Sequence, residues 1–169
     1  MKPTQALHDR GQSLWLDNIT RSMLDSGQIQ RFIDQYSVTG LTSNPSIFDK
    51  AIASGDYDAA IAGKAKQGLT GEELFFELAI EDLRRAADLF RPVHQRTDGM
   101  DRWVSLEVSP LLAYDTQQTV AAAKTLHRRA DRPNLLIKIP GTPEGLPAIE
   151  EAIASGVPVN VTLLFSAGQ

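Results

Sequence analysis

Five short apolar segments, separated by stretches in which apolar residues recur at helical spacing, constrain the fold of this chain most. They predict strands at Leu14–Asp17, Thr39–Asn44, Trp103–Val108, Leu135–Pro140 and Val159–Phe165. Short strands alternating with helices are typical of βα units, which build a parallel sheet. The connection between the second and third segments is long enough for several helices, whereas the other connections are short.

The faces of these strands differ in chemistry. Side chains alternate between the two faces of a strand, and in each segment one face is aliphatic while the other turns polar toward its C-terminal end. The polar positions are Asp17, Asn44, Glu107, Lys138, Asn160 and Thr162. A flat sheet covered by helices on both sides needs two apolar faces, whereas a barrel can carry functional groups on its inner face. The pattern therefore predicts a (β/α)8 TIM barrel with these polar residues at one mouth.

Lys138 is the only charged residue in the apolar run Asn134–Thr142, NLLIKIPGT. It could be an edge-strand residue that extends its amine to water. Alternatively, a lysine desolvated by an apolar interior has a lowered pKa, and its neutral amine can attack a carbonyl to form a Schiff base. Asp17 and Glu107 belong to the same polar strand face as Lys138 and could transfer protons, although either alone could simply pair with the lysine.

Three further polar residues share this face. Thr162 could order a water molecule, and Asn44 and Asn160 could bind hydroxyl groups or orient the lysine. Each of these residues, taken singly, could instead satisfy backbone groups at a turn.

Composition excludes several classes of protein. The 169 residues include no cysteine, so disulfides and thiolate metal sites are excluded. A formal net charge of −4 argues against nucleic acid or an anionic membrane as a partner. The three histidines, His8, His94 and His127, are too far apart for a metal-binding motif, and no apolar run approaches the ~18 residues of a membrane span. We expect a cytoplasmic protein without a metal ion.

The longest helical pattern has a predicted start and end. Thr70 and Glu73 have the spacing of a capping box, in which each side chain bonds the other residue's backbone N–H. Pro92 follows the pattern and predicts that the helix stops there, because proline cannot donate the backbone hydrogen bond of a helix interior.

Four motifs in order carry a resemblance to a known family. They are Gly40–Ser46 (GLTSNPS), Val104–Val108 (VSLEV), Leu136–Pro140 (LIKIP) and Asn160–Ser166 (NVTLLFS). From about Leu14 to its end, the chain resembles transaldolase. It is most similar to the longer bacterial transaldolases, including those fused to a sugar-phosphate isomerase.

The resemblance implies a cofactor-free barrel of the class I aldolase type that acts on sugar phosphates in the non-oxidative pentose phosphate pathway. Such an enzyme moves a dihydroxyacetone unit from sedoheptulose 7-phosphate to glyceraldehyde 3-phosphate. It implies that Lys138 forms the Schiff base, Asp17 transfers protons, and Glu107 and Thr162 hold the catalytic water. Asn44 and Asn160 would contact the bound ketose, and Thr42, on the same face as Asn44, is included with them.

The chain departs from the family in the number of strands. A complete barrel needs eight βα units and about 250 residues, and only five strands are predicted. We therefore expect residues 1–169 to be the N-terminal portion of a single barrel domain, lacking the later strands and the serine and arginine that hold the substrate phosphate. Such a fragment would expose two strand edges and show little turnover alone. The alternatives are a related fructose 6-phosphate aldolase that needs no sugar acceptor, and a non-catalytic half-barrel assembly module.

Overall fold

The computed structural model describes residues 2–169 and, within them, every side chain except those of residues 47, 48 and 51. The strands are β1 (Leu14–Leu16), β2 (Val38–Thr42), β3 (Trp103–Glu107), β4 (Leu135–Pro140) and β5 (Val159–Thr162). The helices are α1 (Pro3–His8), α2 (Arg21–Asp25), α3 (Gln28–Tyr36), α4 (Pro45–Ile52), α5 (Asp58–Ala65), α6 (Gly71–Arg96), α7 (Thr116–Ala130) and α8 (Gly145–Ala154), with a 3₁₀ helix at Pro110–Leu112. All five predicted strands are confirmed, and four of them end one to three residues earlier than predicted.

The strands form one parallel sheet in the order β1-β2-β3-β4-β5, so each strand pairs with its neighbour in the chain. The sheet curls into a half-barrel with the helices between successive strands, which confirms the predicted first βα units of a TIM barrel. In the pairing register, Glu107 on β3 lies beside Lys138 on β4, and Lys138 lies beside Asn160 on β5. The register therefore brings three polar residues of the inner face into one row.

The core lies between the outer face of the sheet and the helices. The aliphatic positions predicted for this face on β2, β3 and β4 are almost completely buried: Leu41, Val104, Leu106, Leu135, Ile137 and Ile139. On the two outermost strands the same face is less buried, since Leu14 and Leu16 of β1 are partly exposed and Val161 of β5 is 37% exposed. Residues of α6, including Leu83 and Phe90, are part of the same cluster and are also fully buried. Burial of a large aliphatic or aromatic side chain contributes about 1.5–3 kcal/mol, so this layer fixes which face of each strand turns inward.

Helix α6 continues past Pro92 to Arg96, so the predicted stop is wrong. Pro92 lies on the exposed side, while Phe90 and His94 on either side of it are buried. Packing of these neighbours offsets the cost of about 3 kcal/mol that an interior proline imposes. The predicted capping box is also wrong, because the Thr70 side chain makes no capping hydrogen bond. Neither α6 nor any other helix within residues 2–169 is long and apolar enough to cross a membrane.

The turn from β4 into α8 brings two backbone segments into close contact. A Cβ atom at Gly145 would lie 2.0 Å from the carbonyl oxygen of Pro140, so only glycine fits there. The Thr142 hydroxyl accepts a hydrogen bond from the Gly145 N–H at 2.9 Å and donates one to the Ala113 carbonyl at 2.6 Å. This turn fixes the carboxyl end of β4, two residues beyond Lys138.

Candidate active site

Lys138 lies on the inner face of β4 with 6% of its surface exposed. Its Nζ donates hydrogen bonds to Asn44 Oδ1 at 2.7 Å and to the Ser43 carbonyl at 3.1 Å, and it lies 3.2 Å from Glu107 Oε2. These acceptors match the three N–H donors of an ammonium, which offsets the cost of removing the charge from water. Because β4 is flanked by β3 and β5 and the amine is buried, the edge-strand interpretation of Lys138 is wrong.

The amide of Asn44 connects Lys138 to Asp17. Its Oδ1 accepts the bond from the lysine, and its Nδ2 donates to Asp17 Oδ1 at 2.7 Å. Asp17 directly follows β1 and is exposed, whereas Asn44 lies two residues beyond the end of β2. Four residues, Asp17, Asn44, Glu107 and Lys138, thus form one connected set at the carboxyl ends of four strands, called the site network below.

The other three predicted site residues lie outside this network. Asn160, beside Lys138 in the register, donates from Nδ2 to the Ser105 hydroxyl at 3.1 Å. The Thr162 hydroxyl is buried and has no hydrogen-bond partner within the described part of the chain. The Thr42 hydroxyl lies 3.5 Å from the Ser43 carbonyl, which also accepts from Lys138.

Ser43 makes a contact with Lys138 that the sequence analysis missed. Its carbonyl accepts from Lys138, and its own N–H and hydroxyl both donate to the Ser105 carbonyl, at 3.3 and 3.0 Å. A backbone carbonyl leaves no signal in side-chain type, and strand parity assigns Ser43 to the opposite face from Asn44. The available signals were its place in the motif Gly40–Ser46 and its position between Thr42 and Asn44, in the segment that leaves β2.

A cavity of about 510 Å³ opens beside the exposed end of the site network. It is lined by Asp17, Asn18, Thr20, Ser22, Lys50, Ser54 and Asp56. Its walls carry three hydroxyls, an amide, one lysine and two carboxylates, which suit a polar ligand rather than an apolar one. Within residues 2–169, no group of three histidine, aspartate or glutamate side chains is arranged to hold a metal ion.

This arrangement can support nucleophilic chemistry at Lys138. An amine 3.2 Å from a carboxylate can pass a proton to it, and the neutral amine is the form that attacks a carbonyl group. A second carboxylate, Asp17, lies on the far side of the Asn44 amide, where it can act on a different part of a bound molecule. The site therefore places a buried amine next to one carboxylate and connects it to a second carboxylate through an amide.

Known proteins with similar sequences agree on one family. The family model described as transaldolase/fructose-6-phosphate aldolase matches residues 14–169. A protein named transaldolase from Thermobifida fusca is 53% identical over 165 residues, which cover 97% of this chain and 45% of that relative. A transaldolase from an Arthrobacter species is 51% identical over 165 residues, covering 97% of this chain and 44% of the relative. The protein named transaldolase 2 from Streptomyces coelicolor is 51% identical over 161 residues, covering 95% and 43%. The chain thus spans less than half the length of these curated relatives.

Proposed function

Because the chain belongs to the transaldolase/fructose-6-phosphate aldolase family, we propose that it carries the Schiff-base half of a cytoplasmic transaldolase of the non-oxidative pentose phosphate pathway. The reaction moves a dihydroxyacetone unit from sedoheptulose 7-phosphate to glyceraldehyde 3-phosphate. The single observation that supports this proposal is the buried Nζ of Lys138, 3.2 Å from Glu107 and 2.7 Å from Asn44. No cofactor enters the reaction, because the iminium ion itself accepts the electrons.

The first step forms the Schiff base. Lys138 transfers a proton to Glu107, and the neutral amine attacks the C2 carbonyl of the ketose to give a carbinolamine. Glu107 returns the proton to the departing hydroxyl, water leaves, and a protonated imine joins Nζ to C2. The unpartnered Thr162 hydroxyl can hold this water and return it for hydrolysis at the end of the cycle.

The second step breaks the bond between C3 and C4. Asp17 accepts the proton of the C4 hydroxyl, C4 becomes an aldehyde, and the electron pair of the bond flows into the imine to give an enamine on Lys138. The aldehyde product, erythrose 4-phosphate from the seven-carbon donor, then leaves. The enamine attacks the acceptor aldehyde, with Asp17 returning the proton, and hydrolysis releases fructose 6-phosphate.

Substrate binding uses the remaining polar residues of the inner face. We assign contacts with the ketose hydroxyls to Asn160, which lies in the row beside Lys138, and to Thr42 and Asn44 at and just beyond the end of β2. The cavity beside Asp17, about 510 Å³, has the volume for a sugar phosphate.

The test is reductive trapping of the Schiff base. This chain is incubated with fructose 6-phosphate and borohydride, and the modified residue is mapped by mass spectrometry. We expect an adduct on Lys138, and none in a Lys138→Met variant. An unmodified Lys138, or equal modification of an exposed lysine such as Lys2, would overturn the proposal.

The family model also covers fructose 6-phosphate aldolases, which gives a second candidate function. An aldolase releases dihydroxyacetone without a sugar acceptor, whereas a transaldolase releases its second product only when an acceptor aldehyde is present. Turnover is compared with and without acceptor in a chimera that joins this chain to the remaining length of the Thermobifida fusca relative. Acceptor-dependent release supports the transaldolase, and acceptor-independent release supports the aldolase. A third possibility, a non-catalytic half-barrel module, predicts no adduct in the trapping experiment.

A further inference from the structure

A buried carboxylate outside the site network holds the segment that follows Asp17. Asp82 of α6 is fully buried. Its Oδ1 accepts from Arg21 Nε at 3.0 Å and Nη2 at 2.8 Å, and its Oδ2 accepts from the Tyr57 hydroxyl at 2.7 Å. Asp82, Tyr57 and Arg21 come from three separate parts of the chain, and they are called the buried clamp below.

Tyr57 secures the backbone as well as the side chain of Arg21. Its hydroxyl accepts a hydrogen bond from the Arg21 N–H at 3.0 Å, and the guanidinium lies 4.8 Å from the centre of its ring. Burial, together with the hydrogen bond to Asp82, raises the pKa of the Tyr57 phenol, so the hydroxyl stays protonated and can donate. Arg21 is therefore held in three ways: its backbone N–H donates to Tyr57, its guanidinium donates to Asp82, and the guanidinium also packs against the Tyr57 ring.

Arg21, the member of the buried clamp nearest to Asp17 in sequence, lies four residues beyond it. Between them, Ile19 is fully buried and the Thr20 hydroxyl caps α2 by accepting from the Met23 N–H at 3.2 Å. Asp17 itself is exposed, and its Oδ1 accepts a hydrogen bond from the Asn44 amide. The position of its carboxylate therefore depends on how firmly the backbone behind it is held.

Stability alone is a weak reason for such a clamp. Removing an aspartate and an arginine from water costs several kcal/mol, and a well-packed apolar substitute is often as stable as a buried ion pair. The two hydrogen bonds from the Arg21 guanidinium to Asp82 are directional, so this ion pair also fixes the geometry of the two side chains. Near a catalytic group that geometry matters, because a displacement of about 1 Å can cost on the order of 100-fold in rate.

We propose that Asp82, Tyr57 and Arg21 are positioning residues for Asp17, fixing the backbone from which its carboxylate accepts the C4 hydroxyl proton. This inference rests on the proposed function. It predicts that loosening the clamp slows cleavage of the carbon–carbon bond while leaving formation of the Schiff base on Lys138 intact. A clamp that served only folding would affect both steps equally.

The trapping experiment separates the two steps on this chain as it stands. Borohydride added early reduces the imine that joins the intact ketose to Lys138. After cleavage, the enamine takes up a proton from water at C3 to give an imine, and borohydride then traps the dihydroxyacetone unit, which has a smaller mass. The ratio of the two adducts over time gives the cleavage rate. We expect Tyr57→Phe and Asp82→Asn to slow cleavage about 10–100-fold while total adduct is unchanged.

The decisive comparison measures the effect of Tyr57→Phe in the unaltered chain and in a chain that already carries Asp17→Asn. If the clamp acts through Asp17, Tyr57→Phe slows cleavage less than about twofold further once Asp17 is removed, because residues that act as a unit are not additive. An equal fold-change in both backgrounds would overturn the inference. Asp17→Asn with unchanged cleavage would overturn the role of Asp17 in the proposed function, and an absence of any adduct on the unaltered chain would overturn the proposed function itself.

A matched variant controls for loss of stability. Arg84 lies on the same helix as Asp82, and its Nε donates to the Ala130 carbonyl at 3.0 Å, away from the clamp. Arg84→Gln should lower the unfolding midpoint without changing the adduct ratio. Tyr57→Phe removes a single oxygen, so it keeps the test valid even if Asp82→Asn does not fold. Slowed cleavage in Arg84→Gln at a matched loss of stability would overturn the inference.

Discussion

Glu107 and Lys138 are register partners on β3 and β4, and their side chains meet with Oε2 3.2 Å from Nζ. Adjacent parallel strands fix the separation of two such partners through backbone hydrogen bonds, so the contact does not depend on a flexible loop. Groups placed on rigid strands are held closer to a productive geometry than groups on loops. The first prediction follows from this pair.

Glu107→Gln should slow formation of the Lys138 adduct by about 10²–10⁴-fold, because the amide cannot accept the proton of the ammonium or return it to the leaving hydroxyl. The measurement is the time course of trapped adduct after mixing with fructose 6-phosphate. Glu150→Gln, an exposed change on α8, is the control. Adduct formation at the unaltered rate in Glu107→Gln would contradict the assigned role.

Asn44→Asp tests the link between Lys138 and Asp17. The new carboxylate still accepts from Lys138 but has no N–H to donate, and it faces Asp17 at the position where the amide now lies 2.7 Å away. The hydrogen bond that holds Asp17 is lost and the two carboxylates repel each other, so the Asp17 carboxylate is displaced from its position. We expect cleavage to slow about 10–100-fold. Gln95→Ala, an exposed change near the end of α6 and outside the cavity lining, should have little effect, and equal effects of the two variants would refute the link.

Gly145→Ala should destabilise the protein by about 2–3 kcal/mol, because overpacking against backbone cannot be relieved by moving a side chain. The added methyl group would lie 2.0 Å from the Pro140 carbonyl oxygen. Urea denaturation measures the change in free energy of unfolding. Gly63→Ala, in the exposed middle of α5 with no atom within 4 Å of the new Cβ, should instead stabilise by up to about 1 kcal/mol. Destabilisation by both variants would show that the close contact is not the cause.

Stability should fall as the solution becomes acidic through the titration of His127. Burial lowers the pKa of this imidazole, so between the folded-state pKa and the ordinary value of about 6.5 the unfolded chain binds more protons. The stability present above pH 6.5 is therefore lost as the pH falls through the folded-state value.

Free energies of unfolding at about pH 7.5 and pH 5.5 check this expectation. The loss on acidification should be smaller in His127→Gln than in the unaltered protein, whereas Arg128→Gln, an exposed change on the same helix, should leave the loss as it was. An identical loss in His127→Gln and the unaltered protein would contradict it.

The inner-face positions of Glu107 and Lys138 could be predicted from sequence because strand periodicity is a local property. A period of two assigns each side chain to a face without knowledge of the partners, and the burial of Leu106 and Ile137 on the other face confirms the assignment. The pattern also predicted that Asn160 shares this face, and the register confirms that it lies beside Lys138.

Contacts that depend on partners distant in sequence could not be predicted. The bond of Asp82 to Arg21 joins residues 61 positions apart, and neither shows a periodic or motif signal. The Ser43 carbonyl was missed because backbone groups are the same in every residue. Pro92 was misjudged because the packing of Phe90, known only from the tertiary structure, outweighs local helix preference.

The sheet order β1-β2-β3-β4-β5 has a consequence for biosynthesis. Each strand pairs with the one made just before it, so the half-barrel can grow from its N-terminus as the chain leaves the ribosome. The amine of Lys138 is the exception, because its acceptors at Ser43 and Asn44 are made 95 and 94 residues earlier. Lys138 is thus synthesised after Asp17, Asn44 and Glu107, and only its neighbours on β5, Asn160 and Thr162, are made after it. The nascent chain therefore never contains this amine before the two carboxylates of the site network have been made.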